Sequence, residues 1–227
     1  MLNIDVTFAL MFKSLSDRLF SSDSSNKMAQ SKRDIKKVDI IPPGFKEGEK
    51  LAFYLDNVFT KEECDEWIKL AEDKGFVVAK INAGASEYLM NDYRRGHRCI
   101  IDSMDIRDKV WERVAEYVPT NFKNREVVGL NERFRFLRYD KGGFFKPHFD
   151  GCYVREDNSA LTQITIQIYL NEGFSGGSTT FLKQDERVEC VPKIGRVLVF
   201  EHQIRHEGSE LFSGRKYAIR SDILYKM

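Results

Sequence analysis

The feature that most constrains the fold of this chain is a strand-like alternation that begins near residue 130. In "NERFRFLRYD" (131–140) and "LTQITIQIYL" (161–170), the side chains fall into two sets that alternate with a period of two. Two further β-rich runs follow, "RVLVF" (196–200) and "KYAIRSDILY" (216–225), and glycine-containing turns such as "GFSGGS" (173–178) separate the runs. Because successive side chains of a strand point to opposite faces, this pattern predicts that the C-terminal half is built from short strands.

Two helices are predicted before these strands. The first covers "TKEECDEWIKLAEDKG" (60–75), in which Thr60 and Glu63 form a capping box and Gly75 ends the helix. The second covers "SMDIRDKVWERVAEYVP" (103–119), which a serine begins and a proline ends. Helices followed by a run of strands indicate an α+β fold whose C-terminal half is an antiparallel barrel or a jelly roll.

The chain is predicted to divide into a poorly ordered leader and linker, residues 1–40, and one folded domain, residues 41–227. The apolar run at residues 6–12 is shorter than the roughly 20 residues that cross a bilayer. Acidic Asp5 precedes this run, whereas a secretory signal begins with basic residues. A weak amphipathic helix or a remnant of an organelle-targeting segment stays open as an alternative interpretation.

Charge and cysteine content limit the partners and the compartment. The chain has 36 Lys and Arg against 35 Asp and Glu, for a net charge of +1. This balance gives no reason to expect binding to nucleic acid or to an anionic membrane. The four cysteines form no CxxC pair, which argues against a zinc knuckle or a disulfide framework. They indicate reduced thiols in an intracellular, cytoplasmic protein.

A candidate metal site begins in "FFKPHFDG" (144–151), where His148 and Asp150 lie two residues apart and can share one face of a strand. Alone, such a pair is weak evidence for a metal. Two histidines and one carboxylate form the facial triad of non-haem Fe(II) oxygenases, and His202 and His206 are the candidates for the second histidine. A zinc hydrolase can use the same ligand types, so the triad does not by itself decide the metal.

Two basic residues follow the candidate metal site. Lys216 lies ten residues after His206, and Arg220 lies four further along the same face of the next β-rich run. A cation buried in a barrel is costly unless an anion pairs with it. A dicarboxylate cosubstrate can be that anion, with one end on the iron and the other at Lys216. Without the triad, "GRKY" would instead be interpreted as a basic surface turn.

Five segments occur in an informative order: "YLDNVFTKEECDEWIKLA" (54–71), "LRYDKGGFFKPHFDG" (137–151), "IYLNEGFSGGSTTF" (168–181), "VPKIGRVLVFEHQIRHEG" (191–208) and "GRKYAIRSDILY" (214–225). In this order they resemble the prolyl 4-hydroxylase-like family of 2-oxoglutarate- and Fe(II)-dependent dioxygenases. The resemblance extends over residues 45–227. It implies a double-stranded β-helix, or jelly-roll, core with flanking N-terminal helices.

The resemblance also implies roles for individual residues. His148, Asp150 and His206 match the iron ligands of the family. Lys216 matches the basic residue that anchors the distal carboxylate of 2-oxoglutarate, and Tyr139 matches a tyrosine that contacts the same cosubstrate.

Two further positions are assigned less directly by the resemblance. Thr179 in "GGSTTF" matches a threonine that lines the cosubstrate pocket. Arg220 is the alternative anchor for 2-oxoglutarate, or else it forms an internal ion pair with Asp222. His202 has no counterpart as a ligand and is expected beside the site rather than on the metal.

The resemblance implies an oxidoreductase that uses Fe(II), 2-oxoglutarate and O2, with ascorbate as a reductant, and that releases succinate and CO2. The reaction would hydroxylate an unactivated C–H bond, with peptidyl proline as the first choice of substrate. The chain lacks the tryptophan-rich ending of many proline-specific members, so peptidyl lysine or a small molecule stays open. The alternative of a different class is a non-catalytic 2-oxoglutarate-binding interaction module.

The surroundings of the site are predicted from the residues next to the triad. Phe144, Phe145, Phe149 and Tyr153 are candidate pocket walls, although core packing accounts for the phenylalanines equally well. "DGCYVREDNSALTQ" (150–163) is predicted to form a loop over the entrance that helps to choose the substrate.

Overall fold

A computed structural model describes residues 34–83, 86–88, 90 and 92–227. Lys36–Asp39, which the sequence assigned to the linker, forms a strand because it pairs antiparallel with Ala52–Asp56. Residues 1–33, the larger part of the predicted leader and linker, lie outside the described residues. Among the residues that are described, neither helix has the length and apolar character needed to cross a membrane.

Both predicted helices form. Helix α1, Lys61–Lys74, begins at Thr60, whose side chain accepts a hydrogen bond from the Glu63 backbone while the Glu63 carboxylate accepts one from the Thr60 backbone. Helix α2, Met104–Val114, begins at Ser103 and continues into a 3-10 turn at Ala115–Tyr117. The capping residues therefore set both helix starts as the sequence predicted.

The strands number nineteen in the part of the chain that the structure describes. In chain order, β1 to β19, they are Lys36–Asp39, Ala52–Asp56, Val77–Val78, Ile81–Ala83, Ser86–Tyr88, Arg94–Arg95, His97–Asp102, Asn121–Phe122, Arg125–Leu130, Arg133–Asp140, Phe144–His148, Ala160–Tyr169, Ser175–Gly176, Thr179–Lys183, Glu186–Cys190, Val197–Glu201, His206–Gly208, Leu211–Ser213 and Arg215–Lys226. Seven of them precede α2, so the prediction that the helices come before the strands is wrong for these early strands.

Two sheets position the site. A ten-stranded sheet has the order β1-β2-β16-β12-β19-β10-β7-β3, with β9 beside β19 and β8 beside β9. A five-stranded sheet has the order β15-β14-β17-β11-β6. The larger sheet thus combines early strands with strands of the C-terminal half, because β2 pairs with β16 and β7 pairs with β10.

The predicted alternation divides β12 between two environments. Ile164, Ile166 and Ile168 join the main hydrophobic core, which also contains buried side chains of α1 and α2. Thr165 and Gln167 point to the other face and line a pocket. Burial of apolar surface stabilises the helix-covered face by about 25 cal/mol per Å². The opposite face of the same strand stays available for polar groups.

The predicted entrance loop ends earlier than expected. The sequence placed residues 150–163 in a loop, but β12 begins at Ala160, so the last four of these residues belong to the strand. A bridge between Val154 and Leu161 and a hydrogen bond from the Thr162 backbone to the Tyr153 carbonyl fold the segment back on the strand. The irregular part of the predicted loop is therefore residues 150–159.

Candidate active site

Three residues with metal-binding side chains meet between the two sheets. His148 ends β11 and His206 begins β17, and strand pairing places the two histidines directly opposite each other. Asp150 lies two residues beyond His148, in the segment that follows β11. One candidate ligand atom from each residue lies within 4.8 Å of the others. Pairing of two strands that are distant in sequence therefore assembles the predicted triad.

The backbone orients both imidazole rings. His148 Nδ1 lies 2.8 Å from the Lys146 carbonyl, and His206 Nδ1 lies 2.9 Å from the Ile204 carbonyl. A carbonyl oxygen only accepts, so Nδ1 carries the hydrogen in each ring and Nε2 keeps a free lone pair. Each Nε2 is 3.7 Å from an oxygen of Asp150. The two Nε2 atoms and the Asp150 carboxylate, which are the candidate metal ligands, thus lie around a common position.

Burial keeps both histidines neutral. It lowers the pKa of His148 to about 4, with a further contribution from the neighbouring His206. Burial also lowers the pKa of His206, against the opposing effect of Asp150. Metal binding requires an unprotonated imidazole nitrogen, so both rings are ready to bind a metal at neutral pH.

Asp150 is held in place through both of its oxygens. The Thr165 hydroxyl donates a hydrogen bond of 2.5 Å to Oδ2, and Arg220 Nη1 lies 2.9 Å from Oδ1. Burial alone would raise the pKa of this carboxyl, but Arg220 and the two nearby histidines lower it below its ordinary value. The residue is therefore a fixed and buried carboxylate.

Arg220 connects Asp150 to a second buried carboxylate. Its Nη2 donates a hydrogen bond of 3.1 Å to Asp222, as the alternative of an internal ion pair predicted. Asp222 also accepts a hydrogen bond of 3.0 Å from Arg135, and His202 Nε2 lies 3.3 Å from the same carboxyl. Arg220 thus shares its charge between two carboxylates, and His202 lies beside the site, outside the group of three.

Lys216 brings a different kind of charge into the same pocket. Its side chain is buried, with the residue 4% exposed, and Nζ donates a hydrogen bond of 2.5 Å to the Gly177 carbonyl. The rings of Tyr139 and Tyr169 lie 5.7 and 5.3 Å from the ammonium. No carboxylate pairs with it among the described residues. Burial accordingly lowers the pKa of Lys216 to about 8.

Gly177 allows Lys216 to lie this close to the backbone. Its φ of +71° belongs to the left-handed region that favours glycine. A Cβ at this position would approach Leu211 Cδ1 to 2.9 Å and Lys216 Cδ to 3.3 Å. The turn that the sequence placed at "GFSGGS" therefore also supplies the carbonyl that holds the Lys216 ammonium.

Thr179 and Tyr139 line the pocket near Lys216. The Thr179 hydroxyl accepts hydrogen bonds from Gln167 Nε2 at 2.7 Å and from the Tyr169 hydroxyl at 2.8 Å. Its own hydrogen has no acceptor within the described part of the chain, so it can be donated to a bound ligand. Tyr139 pairs directly opposite Lys216 across β10 and β19.

The structure corrects the predicted aromatic walls. Phe145 lines the pocket and stacks on His148, with ring centroids 3.7 Å apart. Phe149 is 55% exposed and Tyr153 is 44% exposed, and neither is among the lining residues of the described chain. Phe200, which the sequence did not single out, also lines the pocket.

Several other lining residues were also missed from the sequence. They are polar or basic side chains on strands of either sheet: Arg94, Arg135, Thr165 and Gln167. The period-two pattern of β12 contained a signal for two of them, because Thr165 and Gln167 alternate with isoleucines that must face a core. Arg94 carried no comparable signal, since its position depends on the pairing of β6 with β11.

This set of donors fits a divalent metal. Two neutral imidazoles and one carboxylate on one side of a pocket match the 2-His-1-carboxylate arrangement, which leaves positions open for other ligands. Two backbone carbonyls and the Thr165 hydroxyl bind the candidate ligands and orient them. Hydrogen-bond partners of metal ligands commonly have this effect. His148, Asp150 and His206 can therefore hold the metal, and Lys216 can meet an anion in the same pocket.

Comparison with known families agrees with this geometry. Residues 134–221 match the model of the 2OG-Fe(II) oxygenase superfamily, a range that includes the three candidate ligands, Lys216 and Arg220. This part of the chain is therefore similar to a 2OG-Fe(II) oxygenase domain.

Prolyl 4-hydroxylases are among the homologues of this chain. It is 29% identical over 173 residues to probable prolyl 4-hydroxylase 6 of Arabidopsis thaliana, a match that covers 66% of this chain and 57% of that protein. The match to probable prolyl 4-hydroxylase 3 of the same plant, at 27% identity, covers 63% and 50%. The chain thus spans about half the length of these relatives.

Two solved structures share the fold. The viral collagen prolyl hydroxylase of Paramecium Bursaria Chlorella virus-1, in a 2OG complex, has a TM-score of 0.56 at 20% identity, covering 78% of this chain and 97% of that one. A Trichoplax adhaerens prolyl hydroxylase bound to a hypoxia inducible factor peptide fragment has a TM-score of 0.56 at 15% identity, covering 95% and 92%. Both likenesses confirm the predicted double-stranded β-helix core.

Proposed function

We propose that this chain is a 2-oxoglutarate- and Fe(II)-dependent dioxygenase that hydroxylates a peptidyl proline. One observation carries the proposal. The group of His148, Asp150 and His206 shares its pocket with the buried ammonium of Lys216, for which the described residues offer no carboxylate partner. A metal site and an anion site in one pocket are what a chelating dicarboxylate requires.

The residues have distinct tasks in this proposal. His148, Asp150 and His206 hold Fe(II) through two Nε2 atoms and a carboxylate oxygen. Bound Fe(II) with 2-oxoglutarate and O2 supplies the oxidising chemistry, which releases succinate and CO2, and ascorbate serves as a reductant. Lys216 pairs with the far carboxylate of 2-oxoglutarate, and its burial makes this pairing strong because little water competes.

Two neighbours assist Lys216 in orienting the cosubstrate. Thr179 donates its free hydroxyl hydrogen to the same carboxylate, while Gln167 and Tyr169 hold the hydroxyl from behind. Tyr139, opposite Lys216 on β10, contacts the cosubstrate from the side. Arg220 is assigned no anchoring role, because its guanidinium already binds Asp150 and Asp222. These contacts fix one end of the ligand and leave the metal end to react.

Proline is proposed as the target because of the relatives rather than because of a pocket residue. The curated homologues are named prolyl 4-hydroxylases, and one structural neighbour was solved with a peptide. A peptidyl substrate, rather than nucleic acid, also agrees with a net charge of +1. The four free thiols, Cys64, Cys99, Cys152 and Cys190, support placing the protein in the reducing cytoplasm.

The test begins with protein purified without oxygen and loaded with Fe(II) and 2-oxoglutarate. On admission of O2, succinate should form slowly alone and faster with a proline-containing peptide that accepts the hydroxyl group. His148→Ala should abolish succinate formation, whereas Lys146→Ala, at an exposed neighbouring position on β11, should retain it. Absence of both Fe(II) binding and succinate would refute the proposal and favour a non-catalytic binding module. Succinate with hydroxylation of lysine or of a small molecule alone would refute only the proline target.

A further inference from the structure

Arg94 is a pocket residue with a charge that nothing in the described chain neutralises. It lies on β6, the edge strand of the five-stranded sheet, and lines the same pocket as His148 and Lys216. Within the described residues, its guanidinium has no salt bridge and no hydrogen-bond acceptor, and the Nε atom is buried without a partner. An arginine in such a position normally pairs with a carboxylate or another acceptor.

The guanidinium is held in a fixed position by ring stacking. Its central carbon lies 4.6 Å from the centroid of the Phe145 ring. Phe145 in turn stacks on His148, with centroids 3.7 Å apart and planes inclined by 24°. One aromatic ring therefore separates the guanidinium of Arg94 from a proposed iron ligand. A group bound by Arg94 would lie beside the reacting centre.

The other charges at the pocket are already paired or assigned. Arg135 and Arg220 bind Asp222, and Arg220 also binds Asp150. The remaining carboxylate of the pocket lining, Glu207, is 3.0 Å from Arg187. With Lys216 given to 2-oxoglutarate, Arg94 is the cation left without a counterion among the described residues that line the pocket.

We propose that Arg94 binds a carboxylate of the substrate, so that the favoured substrate is a peptide with an acidic group next to the hydroxylated residue. This inference rests on the proposed function for the identity of the reaction, but the anion contact itself does not depend on turnover. The carboxylate can belong to an Asp or Glu side chain or to a chain terminus. A guanidinium fixed by stacking and buried at Nε can offer its two Nη groups to both oxygens of one carboxylate.

Arg95 provides a matched control on the same strand. β6 pairs with β11 so that Arg94 lies opposite Phe145 and Arg95 lies opposite Phe144. Arg95 is stacked on Phe144 at 5.5 Å, as Arg94 is on Phe145, but it is exposed and is not among the pocket-lining residues of the described chain. Replacement of Arg95 removes the same charge and the same type of stacking outside the pocket.

The experiment measures peptide binding without turnover. The wild type, Arg94→Gln, Arg94→Lys and Arg95→Gln are loaded with Fe(II) and 2-oxoglutarate without O2, and fluorescent peptides with one central proline are titrated by anisotropy. The first peptide pool has Glu on both sides of the proline and an amidated C-terminus. The second has Gln in place of Glu. The third has Gln flanks and a free carboxyl directly after the proline.

For the wild type, we expect the Glu pool or the free-carboxyl pool to bind about tenfold more tightly than the Gln pool, as for one charge-assisted contact. The pool that gains the affinity identifies the source of the carboxylate. Arg94→Gln should abolish the preference for the acidic pool, so that this pool and the Gln pool bind equally. Arg94→Lys should retain part of the preference, and Arg95→Gln should leave it unchanged.

Three results would overturn the inference. They are equal binding of all pools by the wild type (undetectable binding included), a preference that survives Arg94→Gln, and an equal loss of preference in Arg94→Gln and Arg95→Gln. Succinate formation by the same preparations is measured separately. A protein that forms no succinate but loses its acidic preference in Arg94→Gln would refute the proposed function and leave the Arg94 site standing.

Discussion

Lys216 carries an ammonium group into the interior, where its hydrogen-bond partner is the Gly177 carbonyl. A buried cation without a counterion is costly, and the lowered pKa of Lys216 reflects this cost. A ligand carboxylate would relieve it. The residue is therefore destabilising in the free protein and useful in the complex, which is common where a site is organised for binding rather than for stability.

Removal of this charge should weaken cosubstrate binding strongly. Lys216→Met should raise the Kd for 2-oxoglutarate about 30-fold or more, since loss of one partner of a buried charge pair costs about 2 kcal/mol or more. Calorimetric titration of anaerobic, Fe(II)-loaded protein measures the change. Arg220→Gln, which leaves the ammonium intact, should change this Kd much less. The reverse order of effects would make Arg220 the anchor.

The titration of Lys216 should make cosubstrate binding depend on pH. In the free folded protein its pKa is about 8, below the ordinary value of 10.5. Below pH 8 both folded and unfolded chains hold the proton, so the cost of burying the charge is fully present. Between these two values the unfolded chain holds the proton more tightly, so the free protein should gain stability as the pH rises.

A bound carboxylate favours the charged ammonium, so binding of 2-oxoglutarate above pH 8 should take up a proton and weaken as the pH rises. Titrations at pH 8.5 in two buffers of different ionisation enthalpy measure the uptake. Lys216→Arg, whose guanidinium stays charged, should bind without this uptake. Identical proton uptake by the wild type and this variant would assign the effect to another group.

At the level of secondary structure, β12 and β19 each contribute side chains to the core from one face and to the pocket from the other. On β19, Ile219 and Ile223 face the helix-covered core, whereas Lys216 and Arg220 face the pocket. A change of register by one residue would exchange the two faces and bury the charges among the helices. The apolar face therefore fixes the register that places the functional side chains.

Helix α1 depends on the capping residues that precede it. Thr60→Ala removes the acceptor for the Glu63 backbone and should lower the free energy of unfolding by about 1 kcal/mol. Chemical denaturation measures the difference. Thr120→Ala is the control, because Thr120 is exposed and its hydroxyl has no hydrogen bond in the described structure. Equal effects of the two substitutions would show that the cap contributes nothing specific.

At the scale of the whole molecule, residues from both sheets form the candidate site. The histidines come from β11 and β17 of the five-stranded sheet. Thr165 and Arg220, which hold Asp150, come from β12 and β19 of the ten-stranded sheet. The ion-pair chain from Asp150 through Arg220 to Asp222 therefore ties the two sheets together, and it should contribute to the stability of the entire domain.

Arg220→Gln should destabilise the metal-free protein by about 3 kcal/mol, because it leaves Asp150 without its cation and removes one of the cations at Asp222. The free energy of unfolding, measured by denaturant titration, tests this. Lys69→Gln removes an exposed helix salt bridge with Asp73 and should cost less than about 1 kcal/mol. A cost for Arg220→Gln no greater than for Lys69→Gln would contradict a structural role of the network.

Metal binding should stabilise the whole domain. Mn(II) at 100 times its Kd should add about 2.7 kcal/mol to the free energy of unfolding, since a metal that binds the folded state alone shifts the equilibrium by mass action. Thermal melting with and without Mn(II) measures the shift in Tm. His206→Ala should lose this shift, whereas His97→Ala, at a histidine outside the candidate site, should keep it. A shift retained in His206→Ala would place the metal elsewhere.

Local sequence determined much of what the structure contains. Capping residues gave both helix starts, and the period of two separated the buried isoleucines of β12 from its pocket-facing side chains. The types and spacing of His148, Asp150 and His206 indicated a metal site. These features depend on residues that are close in the chain or on chemistry that few residue types possess, so they can be recognised without coordinates.

Only the tertiary structure decided which charges meet. The sequence places Lys216 and Arg220 on the same face of one β-rich run, yet Arg220 binds Asp150 and Asp222 while Lys216 has no such carboxylate partner in the described chain. Likewise, the pairing of β6 with β11 brings Arg94 to the pocket. The physical reason is that strand pairing joins segments far apart in sequence, and the partner of a charge is set by that pairing and not by its neighbours in the chain.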